Sequence, residues 1–103
     1  MDLNLICRHI YYSVISTSKK ASAPIAYITL RAGKNFPFTD AEIDEYFNRI
    51  KWNTSISTAD LVILRDKKLT ENYIEVEEIA EFIDDEGNGS SYRPDEKNAR
   101  IFF

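Results

Sequence analysis

The stretch that most constrains this fold is Phe38–Trp52, "FTDAEIDEYFNRIKW". Thr39 stands three residues before Glu42, which is the spacing of a capping box. Phe38 before the cap and Ile43 inside it have the positions of a hydrophobic staple. Ile43, Tyr46, Phe47 and Ile50 recur at helical spacing and form one apolar stripe. Acids (Asp40, Glu42, Asp44, Glu45) open the segment and cations (Arg49, Lys51) close it, matching the helix dipole. A one-sided helix over 40–51 therefore follows, and it must bury its stripe against another layer.

The flanking segments supply candidates for that layer. Leu3–Ile15 is rich in β-branched and aromatic residues and reads as a strand. "IAYITLRA" after Pro24 alternates Ile25, Tyr27 and Thr29 against Ala26, Ile28 and Leu30, as in a central strand. The two would form a hairpin around a long basic loop. "LVILRD" reads as a short buried strand, "KKLTEN" as a turn, "YIEV" as its partner strand and "ARIFF" as a closing strand. Val76, Ile79, Ala80 and Ile83 recur at helical spacing, so a second, acidic helix is expected over 76–84. One longer helix from Glu71, capped by Thr70, is the competing reading. Gly87 ends either helix. The expected architecture is α+β: a mainly antiparallel sheet of four or five strands, with the 40–51 helix packed on one face.

At 103 residues the chain reads as one domain spanning 1–103, with 44% hydrophobic residues available for a core. One cysteine, Cys7, allows no internal disulfide, and with His9 as the single histidine no Cys/His zinc set can form. A reducing, cytoplasmic setting fits this usage. The most apolar run, "LNLICRHIYYSVI", is too short to span a membrane and lacks a signal-peptide cleavage pattern.

Charge is distributed unevenly. Between Glu71 and Glu86 there are eight acids and no Lys, Arg or His, while the remainder holds all 13 Lys and Arg against nine acids. Glu75, Glu77 and Glu78 would suit the first turn of the acidic helix. Asp84, Asp85 and Glu86 would fall at its C-terminus, where the dipole disfavours them, so they point to a role outside the fold. Laid on a helix, the eight acids would span roughly 24 Å. Their spacing would then approach the roughly 3.4 Å phosphate repeat of one DNA strand. The leading expectation is a non-catalytic inhibitor or regulator of a basic partner, including one that binds nucleic acid. It would act through an acidic, DNA-mimicking surface made by Glu75, Glu78, Glu81, Asp84, Asp85 and Glu86. Small phage or mobile-element anti-defence inhibitors work by that logic, and a toxin-neutralising immunity protein would look alike.

The alternative is a nucleic-acid-binding module on the basic hairpin, using Arg8, Lys19, Lys20, Arg31 and Lys34 with tyrosines to stack on bases. The acidic net charge of −4 disfavours direct binding of a polyanion. Asp84, Glu86, Asn88, Gly89 and Asp95 follow EF-hand spacing, but Glu at the third loop position, Asp at the last and Pro94 break the pattern. Cys7 and His9 would share a strand face as a thiol–imidazole pair, without an orienting partner. There is no GxSxG, HExxH or CxxC motif and no Gly-rich phosphate loop. Neither enzymatic activity nor a cofactor or metal is expected. An open edge at "LVILRD" would allow a homodimer.

Overall fold

The computed structural model describes residues 2–68 and 73–95, with the backbone of 100–102. Thr70 and Glu71, the expected cap and first acid of the longer helix, lie outside these residues. So does most of the expected "KKLTEN" turn, which begins at Lys67 and Lys68. The element order is α1 (Leu3–Ser18), β1 (Ile25–Gly33), α2 (Asp40–Lys51), β2 (Asp60–Asp66), β3 (Tyr73–Glu81), β4 (Ser91–Tyr92) and β5 (Arg100–Phe102). The sheet order is β2-β1-β3-β4, with β5 also on β3. β1 pairs with β2 in parallel and with β3 antiparallel, so the sheet is mixed rather than mainly antiparallel. The parallel pair follows from α2, which carries the chain back to the start of the sheet between β1 and β2.

Leu3–Ser18 is a helix and not the expected strand. Asp2 caps it, accepting from the Asn4 N–H at 2.9 Å. Its buried face is Leu3, Ile6, Cys7, Ile10, Ser13, Val14 and Thr17. That is a full helical stripe, part of it made by small or hydroxylated side chains rather than large apolar ones. The Thr17 hydroxyl is satisfied by donating to the Ser13 carbonyl at 2.9 Å. With a helix in this place, the basic N-terminal hairpin does not exist.

Helix α2 forms as its residues require. The Thr39 hydroxyl accepts from the Glu42 N–H and the Glu42 carboxylate accepts from the Thr39 N–H, both at 3.1 Å. Ile43 and Phe47 are fully buried, while Tyr46 lies at the exposed margin of the stripe with the Arg49 guanidinium over its ring. Lys51 is buried and donates to the Ala59 carbonyl. Arg65 on β2 ties down the loop before α2. It donates to the Phe36 and Phe38 carbonyls and pairs with Asp40 at 3.0 Å.

Residues 76–84 are not a helix. Tyr73–Glu81 is strand β3, and 82–90 form the loop that follows it. The cause of the helical appearance is a bulge. Thr29 pairs with Glu78 but Leu30 pairs with Val76, leaving Glu77 as an extra residue. The bulge changes the phase of β3, so its buried aliphatic residues fall at Ile74, Val76 and Ile79 instead of at strict alternation. That broken period imitates a helical one.

Both helices contribute to one core with Ile28, Leu30 and Ala32 of β1 and Ile74, Val76 and Ile79 of β3. The opposite sheet face stays open. Tyr27 is exposed there and Thr29 and Arg31 are half-buried on β1, Val62 and Leu64 are exposed on β2, and Glu75, Glu77 and Glu78 are half-buried on β3. No helix among the described residues is long and apolar enough to cross a membrane.

Candidate partner-binding surface

The acids expected to form one row are divided among three tasks. Glu75 and Glu77 flank Arg31 on the open sheet face. The Arg31 guanidinium lies 2.5 Å from Glu77, 3.1 Å from Asp66 and 4.0 Å from Glu75. Glu77, and after it Asp66, raise Arg31 above its ordinary pKa. Part of the negative charge of the 71–86 segment is thus neutralised in the middle of the sheet. Glu78 lies on the same face, opposite Thr29.

Glu81 is 8% exposed and serves the fold. One carboxylate oxygen accepts from the Tyr92 hydroxyl at 2.8 Å and from the Ser22 N–H at 2.9 Å. The carboxylate joins the end of β3 to β4 and to the α1–β1 link. The Tyr92 hydrogen bond, then that of Ser22, holds its pKa below the usual carboxylate range, and the same bond raises Tyr92. Glu81 is therefore withdrawn from the expected contact set.

Asp84 also has an internal explanation. Its carboxylate accepts from the backbone N–H of Glu86 at 3.0 Å and of Asn88 at 2.8 Å, an Asx-type turn. Gly87 completes the turn at φ +81, a conformation that favours glycine. The Asp84 carboxylate thus has partners within its own loop, and the chain leads on into β4 rather than into the helix that follows an EF-hand loop. No group of three or more His, Cys, Asp and Glu side chains that could hold a metal occurs among the described residues. Asp85 and Glu86 remain exposed on the loop, with no ion pair among the described residues.

The expectation from charge alone missed the apolar surface beside this loop. Phe82 is 49% exposed and Ile83 is 72% exposed, immediately before Asp84. With Ala26, Tyr27, Ala80, Glu81 and residues 89–91 they border a cleft of about 400 Å³. The Phe82 N–H donates to the Pro24 carbonyl, which fixes the chain as it leaves β3. The signal was present as "FIDDE", two apolar residues abutting the acids. The expected helix hid it by turning Ile83 inward.

The cations of the alternative reading are scattered. Arg8 is exposed on α1, and Lys19 and Lys20 are exposed where that helix ends. Lys34 follows the far end of β1, a strand of about 26 Å at roughly 3.3 Å per residue. Arg31 is held by carboxylates between them. Cys7 and His9 do not meet either. Cys7 is fully buried, its thiol pushed up to about 11 by burial, whereas His9 is exposed on the same helix. Two residues on a helix differ in direction by roughly 200°.

Comparison with protein-family models, with curated proteins and with solved structures returns no match to this chain.

Proposed function

We propose that this protein is a non-catalytic binding protein that engages and regulates a basic protein partner through the 82–90 loop and the cleft beside it. One observation carries the reading: Phe82, Ile83 and Tyr27 expose apolar surface next to Asp85 and Glu86. Interfaces concentrate affinity in apolar and aromatic anchors surrounded by polar groups. Charge at the margin adds steering and selectivity for a basic partner.

The division of the acids favours a local anchor with an acidic margin over an extended imitation of a phosphate row. The three apolar side chains together expose roughly 300 Å². A stable interface takes about 800 Å² from each partner. The partner therefore also covers the acidic loop and the neighbouring strand surface, and a nucleic-acid-binding protein with a basic cleft suits that demand.

The test is a tagged pull-down from nuclease-treated lysate at low and moderate salt. It compares the wild type with Asp85→Lys/Glu86→Lys and with Phe82→Ser/Ile83→Ser. A basic protein should be retained by the wild type and lost from both variants, with weaker capture at the higher salt. Capture of the same protein by both variants would refute this surface. In a parallel pull-down without nuclease, nucleic acid retained without protein would move the function to the cations.

A further inference from the structure

β2 is the outer strand of the sheet, and among the described residues nothing pairs with its free edge. Such edges are usually blunted by a mid-strand charge, a proline or a bulge. Here Leu61, Val62, Ile63 and Leu64 run uninterrupted, with charges only at the strand ends. The register with β1 is continuous from Asp60 to Asp66, so no bulge turns the edge away. Val62 and Leu64 are 40% and 43% exposed on the open face. On the helix face Leu61 and Ile63 border a cleft of about 290 Å³ with Asp40, Ala41 and Asp44.

We propose that this edge pairs antiparallel with β2 of a second copy, making the sheet continuous across a two-fold homodimer. A two-fold axis sets the start of each strand against the end of the other. The charges suit that arrangement. Asp60 is exposed at the start, and Lys67 and Lys68 are exposed just past the end. Asp66 is already engaged by Arg31 and by the Lys68 N–H. Centred on Leu64, the pairing brings the turn that holds Lys67 and Lys68 alongside Asp60 of the second copy. Even-numbered residues then share the open face in both copies, and both helical layers stay on the same side. A foreign basic strand would suit Asp44 and Asp60 but would set its charge against Lys67 and Lys68. A second copy satisfies both ends.

Sedimentation velocity of the full chain, from micromolar to millimolar at low salt, tests this. The wild type should reach twice the monomer mass. Val62→Lys/Leu64→Lys, which alters exposed positions, should remain monomeric with an unchanged far-UV spectrum. Asp60→Lys and Lys68→Asp should each weaken self-association about threefold to tenfold, since two symmetric pairs are lost. An equimolar mixture of these two single variants should associate at least as well as wild type, because each strand then meets its opposite at both ends. A wild type that stays monomeric throughout would overturn the proposal. So would a dimer unaffected by Val62→Lys/Leu64→Lys, or a mixture no better than its components.

Discussion

Replacing Ile10 and Tyr12 separately by alanine discriminates between the two ways that the first segment can fold. In α1, Ile10 is fully buried and Tyr12 is 69% exposed. In a strand, Ile10, Tyr12 and Val14 would share one face and be buried together. Truncating a buried isoleucine removes its transfer free energy and leaves a cavity, at about 2–5 kcal/mol. The upper half is expected, because Ile10 belongs to the core shared by both helices and the sheet. In a domain of this size each kcal/mol lowers Tm by roughly 4–8 °C. Ile10→Ala should therefore lower Tm by at least about 10 °C. Tyr12 makes an edge contact with Tyr11 at a ring separation of 5.8 Å. Tyr12→Ala should cost about 0.5–1 kcal/mol, much of it offset by the better helix propensity of alanine. Urea unfolding followed by far-UV circular dichroism gives both values. A Tyr12→Ala loss equal to that of Ile10→Ala would refute the helix, because only the alternating pattern buries both.

Three further outcomes are expected. Arg31→Leu leaves Asp66, Glu75 and Glu77 together without their cation. It should cost about 1–2 kcal/mol after allowance for solvent screening, and adding Glu77→Gln should recover part of the loss in chemical denaturation. The Ser13 hydroxyl is buried without a hydrogen-bond partner among the described residues. Ser13→Ala should thus stabilise by about 1 kcal/mol, read as a rise in Tm, whereas a destabilisation would show that the hydroxyl is satisfied. Glu81 has a lowered folded-state pKa, so its contribution is present above the unfolded-state value and is lost as pH falls through the folded one. Stability should drop across that acidic window in the wild type, and the part due to Glu81 should vanish in Glu81→Gln. An identical pH profile in the two proteins would refute the assignment.

Local interactions made part of this fold legible from residues alone. Helix α2 carries its cap, stripe and charge order within a single segment, so its bounds follow from local chemistry. The alternation of β1 and the apolar run of β2 are similarly local, but β2 is a half-exposed edge strand rather than a buried one, and β3 pairs with β1 rather than with β2. Other features depended on neighbours distant in the chain. The stripe of α1 is completed by Ser13 and Thr17, whose burial is set by what the helix packs against, and its β-branched composition favoured the strand reading. β3 conceals its period because a bulge against β1 inserts Glu77. The acidic segment is legible in the residues as a concentration of charge, but the use made of that charge is set by its neighbours in space. Arg31 draws in Glu75 and Glu77, and Tyr92 and Ser22 claim Glu81. Asp84 closes its own turn, which leaves Asp85 and Glu86 beside Phe82 and Ile83. Sequence determines how much charge a segment carries and the local order of its elements. Tertiary contacts decide which charges are neutralised inside the fold and which remain exposed, because an ion pair or hydrogen bond acts over a few ångströms of space irrespective of separation along the chain.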